Sequence, residues 1–361
     1  MERIRGWLQL LNTPGIGNAT AVKLVKKYGE PHQFIGSALA EISEEEKLSP
    51  EALEYLSSRD YREQWERSFE LIEHYQIKFI TRLDADYPKL LGSIYDPPAF
   101  LFYRGNLHQQ DFRRTIAIVG TRKASNYGLQ MTVRFARQLS EAGFTIISGL
   151  ALGADTKAHQ AALKAGGKTY AIMGTGVDQI YPAANRELAE EIIASGAIIS
   201  EYLPGIQAEA WNFPTRNRII SGCSLGTLVT EGSQKSGALL TAKFALQQNR
   251  EVFAIPGDVN RAQAAGPNYL IGLGAKIVCT AQDILDEFDL VMPEIHSKFP
   301  HLNEMERKIY DILVENRPEM QFDLLLLKTG FTVGQLSSLL LSLELKDVVK
   351  KLPGNKVMAL S

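Results

Sequence analysis

Hydrophobic positions along the middle of the chain follow two alternating patterns. Short, β-branched runs that are apolar on both faces are typical of buried parallel strands, and segments with helical periodicity separate most of them. This alternation predicts an α/β fold, a Rossmann-like doubly wound parallel sheet. The predicted strands are 115–119, 144–147, 169–173, 197–199, 225–229, 251–255 and 275–278.

The N-terminal part has a helical pattern instead. A Pro14-Gly15-Ile16-Gly17 turn stands between two helical segments, which predicts a helix-hairpin-helix (SAM-like) domain over residues 1–75. A bare glycine turn lets backbone N–H groups approach a phosphate, and Lys23, Lys26 and Lys27 follow this one. The alternative is a helical hairpin that only packs against the rest of the protein. The sequence leaves phosphate binding and packing open.

The C-terminal part is short, helical and rich in leucine, and its order is that of a winged helix. The segments are three helices at 306–314, 322–329 and 333–345 and a wing at 349–359. The last helix has few basic residues, so we expect this part to contact protein and not to read DNA. The predicted domains are 1–75, 76–290 and 300–361, with an extended connection over 76–112 that holds two short edge strands.

Composition places the chain among ordinary globular proteins. Of its 361 residues, 45% are hydrophobic and 22% are charged, and the formal net charge is −2. Any affinity for DNA must therefore come from a local basic cluster. Cys223 and Cys279 lie far apart without a CxxC pattern, which fits a reducing cytosol and gives no metal site. No signal peptide or membrane span is predicted, so we expect a cytoplasmic protein with no membrane contact.

Glycine and polar residues follow the ends of the predicted strands. The carboxyl ends of parallel strands meet at one edge of the sheet, where ligands bind. There Arg122 offers a forked pair of donors, Lys235 a point charge, and Ser236-Gly237 the free N–H groups of a helix start. This edge is predicted to bind an anion such as a phosphate. The neighbouring polar residues Asn126, Asp155 and Asn185 are interpreted as helix N-caps.

A second cluster places an aromatic pair, Trp211 and Phe213, just before Arg216-Asn217-Arg218. An aromatic ring is a surface on which any base can stack, and arginine contacts phosphates. The cluster therefore favours contact with a nucleic acid. An internal ion pair with Glu201 or Glu231 is the alternative for Arg218, and equally for Arg122.

The ordered series of motifs closely resembles the DNA-processing protein A (DprA, or Smf) family. The motifs are GTR at 120–122, SG at 148–149 with GADTKAH at 153–159, GTGVD at 174–178, YP at 181–182, FPTRNRII at 213–220, KSG at 235–237, PG at 256–257 and GPNYLIGLGA at 266–275. The resemblance covers roughly residues 80–285. It implies a domain that binds and protects single-stranded DNA, forms a homodimer, and loads the RecA recombinase onto incoming DNA in natural transformation.

The candidate DNA-binding residues come from both clusters and the loops beside them. They are Gly120, Thr121, Arg122, Ser148, Gly149, Phe213, Arg216, Asn217, Arg218, Lys235, Ser236 and Gly237.

Two enzyme classes compete with this interpretation. A dinucleotide-dependent dehydrogenase would need a GxGxxG turn after the first strand, and residues 120–125 read GTRKAS. A nucleotide-cleaving phosphoribohydrolase resembling the lysine-decarboxylase-like (LOG) family would carry PGGxGTxxE, and residues 226–231 only partly match it. In such an enzyme the Glu231 carboxylate would lie near the sugar of the nucleotide. If the chain is not such an enzyme, we expect this carboxylate to pair with Arg218 or to accept a hydrogen bond from a helix N–H. His159 is interpreted as a packing or hydrogen-bonding residue, and no catalytic residue or cofactor is predicted.

Overall fold

The structure is a computed structural model that describes residues 1–37, 39–58, 65–290, 302–316, 319–346 and 348–360. The chain divides into two compact units, Met1–Val291 and Met292–Ser361, and each has its own hydrophobic core. The predicted boundary near residue 75 lies inside the first unit, where Ile4 and Leu8 share a core with Phe102 of the sheet. A separate N-terminal domain therefore remains a prediction.

Helices occupy most of the described N-terminal residues. They are α1 Glu2–Leu11, α2 Asn18–Tyr28, α3 Pro31–Ser37, α4 Leu39–Glu46, α5 Pro50–Ser57 and α6 Glu66–His74. The helices α1 and α2 form the predicted hairpin, because Gly15 adopts a φ of +80° that closes the turn and Trp7 and Leu24 share one core.

Carboxylates of α4 contact two of the three lysines near this hairpin. Lys23 Nζ lies 2.9 Å from Glu46 Oε2, and Lys27 Nζ lies 2.6 Å from Glu45 Oε1. These ion pairs neutralise much of the positive charge that a phosphate would need. Of the two alternatives for the hairpin, the geometry favours packing.

A nine-stranded sheet forms the centre of the first unit. Its strands are β1 Lys78–Thr81, β2 Phe100–Gly105, β3 Thr115–Val119, β4 Thr145–Ser148, β5 Thr169–Ile172, β6 Ala197–Ser200, β7 Gly226–Val229, β8 Glu251–Ala254 and β9 Lys276–Ile277. The helices among them are α7 Lys89–Gly92, α8 Asn126–Glu141, α9 Ala154–Lys164, α10 Arg186–Ser195, α11 Asn212–Gly222, α12 Gly237–Gln247, α13 Ala265–Gly272 and α14 Ala281–Glu287.

The strand order confirms the doubly wound parallel sheet. The order is β1-β2-β6-β5-β4-β3-β7-β8-β9, and strands β3 to β9 pair in parallel. Winding proceeds outward in both directions from the β3–β7 pair, which makes that pair the topological switch point. The extended connection does contain two strands, but only β1 is at an edge: β2 lies inside the sheet, antiparallel to both β1 and β6.

The second unit has the element order of a winged helix. Its described elements are α15 Glu304–Glu315, β10 Met320–Gln321, α16 Phe322–Thr329, α17 Val333–Leu345, β11 Val349–Leu352 and β12 Lys356–Ala359. The predicted wing is the β11–β12 hairpin, in which Val349 pairs with Ala359. Among the described residues no single helix has the length and apolar content to cross a membrane, whereas α16 and α17, bent at a short break, meet both criteria as a pair.

Candidate nucleic-acid interface

A cleft of about 490 Å³ opens at the carboxyl ends of β3 and β7, the switch point of the sheet. Eight of the candidate residues line it: Gly120, Thr121, Arg122, Phe213, Arg216, Asn217, Ser236 and Gly237. They belong to three separate segments, the loop after β3, the first turns of α11 and the start of α12. The fold therefore brings most of the candidate site together.

The loop after β3 is shaped by Glu231, which follows β7. Thr121 N–H donates to the Glu231 carbonyl at 2.8 Å, and the Ser125 N–H and hydroxyl donate to the Glu231 carboxylate at 2.8 and 2.6 Å. Gly120 is required here because a Cβ would lie 2.6 Å from both Ala154 Cβ and Thr230 Oγ1. The loop that carries Arg122 is thus held at both ends by hydrogen bonds to the buried Glu231.

The side chain of Arg122 is exposed in this cleft. In the part of the chain that the structure describes, no carboxylate lies within 4.0 Å of its guanidinium, so the alternative of an ion pair with Glu201 or Glu231 is not observed. Its Cζ lies 5.8 Å from the centre of the Phe213 ring, a cation–π distance. Arg122 therefore presents a forked, uncompensated cation beside an aromatic face.

The start of α12 faces the same cleft. Ser236 is the residue before the helix, but its hydroxyl makes no capping bond, and Ser236 Oγ is buried without a hydrogen-bond partner among the described residues. The first N–H groups of a helix have no partner within the helix and carry its positive dipole end. This element can accept an anion without displacing a protein contact.

Arg216 forms the floor of the cleft and is only 4% exposed. Its Nη1 donates to the Gly149 carbonyl at 3.0 Å and to the carbonyl of Ile172, so the guanidinium joins the ends of β4 and β5. Burial lowers the pKa of Arg216 to about 10, and the nearby carboxylate of Asp155 opposes that effect. Arg216 remains a cation at neutral pH and adds positive potential from below, while its donors serve the fold.

The other four candidates do not line the cleft. The Gly149 carbonyl accepts from Arg216, and the Gly149 N–H donates to the Asp155 carboxylate. Ser148 is fully buried and its hydroxyl donates to the Ile118 carbonyl at 2.6 Å, which corrects the expectation of a ligand contact from this side chain. Arg218 Nη2 lies 2.6 Å from Glu201 Oε2, the internal ion pair that the sequence left as the alternative. Lys235 is exposed just before the start of α12.

The three predicted N-caps have other contacts. Ser125, not Asn126, caps α8, through a bond from Gly128 N–H to its hydroxyl at 3.2 Å. The Asp155 carboxylate accepts Gly149 N–H at 3.1 Å, and the Asn185 amide donates to the Leu150 carbonyl at 2.8 Å. Both side chains therefore fix the loop after β4. Asn185 does stand at the N-cap position of α10, as predicted, but its side chain makes no capping bond. The N-cap of α9 is Gly153, and Asp155 lies within the first turn of that helix.

The residues that suggested enzyme chemistry are engaged in the fold. The Glu231 carboxylate accepts a hydrogen bond from the Ser125 N–H at the start of α8. This is the helix N–H that the sequence named as one alternative; the other, Arg218, pairs with Glu201 instead. His159 is fully buried, its Nδ1 lies 2.7 Å from Thr169 Oγ1, and burial lowers its pKa to about 3. Within the described ranges, no group of three or more His, Cys, Asp or Glu residues is placed to hold a metal ion.

Several cleft residues were missed by sequence reasoning. Lys123, Ser233 and Gln263 line the cleft, and the Gln263 amide reaches the Lys123 carbonyl at 3.5 Å. Lys123 stands beside Arg122 in the sequence and could have been included on that ground. Gln263 comes from the loop after β8, and no local signal places it here.

The fold and this cleft define the class of protein: a Rossmann-like α/β protein with a cleft lined by Arg122, Lys123 and Arg216 at its topological switch point. The family model for DNA recombination-mediator protein A matches residues 78–289, and that for the DprA winged helix domain matches residues 299–355. The chain belongs to the DNA recombination-mediator protein A family, also called DprA or Smf.

Relatives and solved structures agree with this assignment. The chain is 44% identical over 223 residues to Protein Smf of Synechocystis sp., covering 60% of this chain but only 56% of that protein's length. The X-ray structure of DNA processing protein A from Streptococcus pneumoniae has a TM-score of 0.66 and 33% identity, covering 80% of this chain and 98% of that one. A structure of DNA processing protein A from Helicobacter pylori, reported with a single-stranded DNA binding mode, has a TM-score of 0.54 and 29% identity, covering 60% and 99%.

Proposed function

We propose that this chain binds single-stranded DNA in the cleft at the carboxyl edge of its sheet. The observation that carries the proposal is the exposed, uncompensated guanidinium of Arg122 beside the Phe213 ring and the open start of α12. These groups suit a phosphate and an unpaired base, the two parts of a single strand. The single-stranded DNA binding reported for the Helicobacter pylori relative supports the same function.

A binding experiment with labelled oligonucleotides tests this proposal. We expect a single strand to be bound more tightly than a blunt duplex of the same sequence, with little sequence preference. Affinity for the single strand falls with salt at a log–log slope of about −0.7 per neutralised phosphate. Equal affinity for single strand and duplex contradicts the proposal, and so does release of free base from nucleoside monophosphates at a useful rate.

The apolar surface at the far edge of the sheet supports a homodimer. Leu246 at the end of α12, Tyr269 and Leu273 at α13, and Ile277 of the edge strand β9 are each about half exposed or more. Among the described strands, β9 pairs only with β8 and is left open on its other side. Leu273→Glu is expected to convert a dimer to a monomer in sedimentation analysis. A wild-type chain that is monomeric at micromolar concentration contradicts this part of the proposal.

The cellular role is proposed from the family to which the chain belongs. We propose that it acts in the cytoplasm, protects incoming single strands and loads the RecA recombinase on them in natural transformation. RecA hydrolyses ATP when it assembles on DNA, so its ATPase activity on strands coated with single-strand-binding protein measures loading. Addition of this chain is expected to raise that activity, and no increase contradicts the RecA role while leaving DNA binding intact.

A further inference from the structure

A contact between two loops bounds the cleft on the side of β8. The Gln263 amide, in the loop after β8, donates to the Lys123 carbonyl, in the loop after β3, at 3.5 Å, and both residues line the cleft. Beside this contact, Arg261 Cζ lies 5.8 Å from the centre of the Tyr127 ring in the first turn of α8. Neither Arg261 nor Tyr127 lines the cleft itself. These two side chains therefore extend the surface of the cleft beyond its rim.

The guanidinium of Arg261 has no partner that uses its donors. Arg261 is exposed, and in the described part of the chain its side chain makes no hydrogen bond and has no carboxylate within 4.0 Å. A cation–π contact with Tyr127 positions the guanidinium without engaging its N–H groups. Arg261 can therefore offer a planar fork of donors to a phosphate.

The Tyr127 ring is a fixed support for Arg261. Its hydroxyl donates to the Pro256 carbonyl, just after β8, at 3.1 Å. The first turn of α8, which carries Tyr127, is capped by Ser125 through the bond from Gly128 N–H. Because the ring is held in place, the side chain of Arg261 is partly preorganised and loses less freedom when a ligand binds.

The charges on this surface favour an anion. Lys123 is exposed, and no carboxylate lies within 4.0 Å of its ammonium among the described residues. The first turn of α8 contains no acidic residue. Asp258 is the acidic residue of the loop after β8, and its Oδ1 accepts the Asn260 N–H at 2.9 Å. The two cations, Lys123 and Arg261, thus outnumber the carboxylate, and the net charge is positive.

We propose that Lys123 and Arg261 form an outer track that binds the phosphate backbone of single-stranded DNA where the strand leaves the cleft, with Tyr127 as the positioning residue for Arg261. The inference rests on the proposed binding of single-stranded DNA in the cleft. Lys123 lies at the rim, so a strand that leaves the cleft there meets Arg261 next. Phosphate contacts carry no sequence information, so the track adds affinity for every long strand alike.

Strand length separates the outer track from the cleft. The affinities of oligo-dT strands of about 4 to 16 nucleotides are measured by fluorescence anisotropy. Arg261→Ala is expected to weaken binding of the longest strand roughly two- to tenfold, the effect of one net hydrogen bond. Its log–log salt slope for that strand should become shallower by about 0.7. The shortest strand that the wild type binds should be bound equally well by Arg261→Ala, because it occupies the cleft alone.

Variants of Tyr127 test its positioning role. Tyr127→Ala is expected to reproduce the length-dependent loss, and Tyr127→Phe, which keeps the ring, is expected to bind as the wild type does. The double variant Tyr127→Ala/Arg261→Ala should lose no more than Arg261→Ala alone, because the two residues act as a unit. A merely structural role for Tyr127 would instead give a loss that adds to that of Arg261→Ala and is the same at every length.

Two further variants control for charge. Asp258→Asn removes the carboxylate that opposes the track, so it is expected to tighten binding of the longest strand. Arg134→Ala removes an exposed arginine about two turns further along α8 that does not line the cleft. It changes the net charge as Arg261→Ala does and is expected to bind every strand as the wild type does. Thermal melting of each variant verifies that it is folded.

The outcomes distinguish this inference from the proposed function. An equal loss at every strand length in folded Arg261→Ala overturns the outer track, as does unchanged binding of the longest strand. Equal losses in Arg261→Ala and Arg134→Ala overturn it too, since net charge alone then accounts for the effect. In each of these cases single-stranded DNA binding by the wild type stands. Failure of the wild type to bind any strand overturns the proposed function and the outer track with it.

Discussion

Three arginines of the site carry the same charge in three different environments. Arg122 is exposed with no carboxylate among its described neighbours, Arg216 is buried on two strand-end carbonyls, and Arg218 is paired with Glu201. Only Arg122 can give its full hydrogen-bonding capacity to a ligand. The other two hold the sheet edge in shape, and Arg216 also raises the potential of the cleft floor.

Sequence reasoning identified these arginines but could not separate their roles. The carbonyls that accept from Arg216 belong to Gly149 and Ile172, which lie 67 and 44 positions away in the chain. Burial of a cation depends on such distant contacts, and a local Arg-Asn-Arg pattern contains no sign of them. The pairing of Arg218 with Glu201 could be named only as an alternative for the same reason.

His159 gives a prediction about pH. Thr169 Oγ1 donates to the Ile146 carbonyl at 2.8 Å, so it accepts from His159 Nδ1–H and leaves Nε2 as the buried, unpartnered nitrogen. The pKa of His159 is lowered to about 3 in the fold, against roughly 6.5 when unfolded. The unfolded state therefore binds more protons between these values, and stability falls as pH drops from about 6.5 towards 3.

The measurement is urea unfolding of the wild type and His159→Gln across this range. The difference in unfolding free energy between the two is expected to shrink by about 1.4 kcal/mol per pH unit below pH 6.5, because only the wild type has this group to protonate. A difference that stays constant from pH 7.5 to pH 5 contradicts the role assigned to His159.

At the scale of elements, strands and helices were largely predictable. Buried parallel strands such as β3 are continuous apolar runs, and α16 and α17 match their predicted limits of 322–329 and 333–345. The place of β2 inside the sheet was missed because its partner β6 follows some ninety residues later, with Phe102 opposite Ser200. Strand neighbours are a long-range property that local periodicity does not contain.

In the second unit, Glu306 links the start of α15 to the end of α17. Its side chain is 2% exposed, accepts Asn303 N–H at 3.0 Å and Ser342 Oγ at 2.7 Å, and lies 2.6 Å from Lys346 Nζ. Burial opposes the charge on Glu306, but these hydrogen bonds outweigh it and lower the pKa of Glu306 to about 2. Because the folded pKa is depressed, this stabilisation is present above about pH 4.5 and is lost as pH falls towards 2.

We predict that Glu306→Gln destabilises this unit by about 1.5–3 kcal/mol at pH 7, the usual effect of losing hydrogen bonds to a charged group. Hydrogen exchange of the full chain measures it, with faster exchange expected in peptides from α15 and α17. Glu344→Gln is the matched control, since its pair with Lys351 is long at 3.8 Å and more exposed. Equal exchange in wild type and Glu306→Gln contradicts this prediction.

At the scale of the whole molecule, the order of motifs was enough to predict the fold and the edge that carries the site. Every parallel strand delivers its following loop to the same edge, so the cleft at the switch point follows from topology. The edge of the sheet at which each loop lies could therefore be predicted without knowing which residues the loop contacts. The shape of the cleft, including the part from Gln263, required the structure.

The two units have separate cores, and the cleft is lined wholly by residues of the first. We predict that a chain ending at Leu290 stays folded and binds an oligonucleotide with the affinity of the full chain. The described α17 contains no lysine or arginine, which agrees with protein contact and not DNA contact for the second unit. Loss of oligonucleotide binding by a folded chain that ends at Leu290 contradicts this separation.

Replacement of Arg122 tests the central claim most directly. Arg122→Ala removes a charge-assisted phosphate contact of roughly 1.5–3 kcal/mol, so affinity for every oligonucleotide is expected to fall about ten- to a hundredfold. The salt slope should become shallower by about 0.7, and Arg122→Lys should recover only part of the affinity because an ammonium cannot replace a planar fork. Arg113→Ala, an exposed arginine just before β3 at the opposite edge of the sheet, is the control and is expected to bind normally. Unchanged affinity and salt slope in a well-folded Arg122→Ala protein would contradict the account.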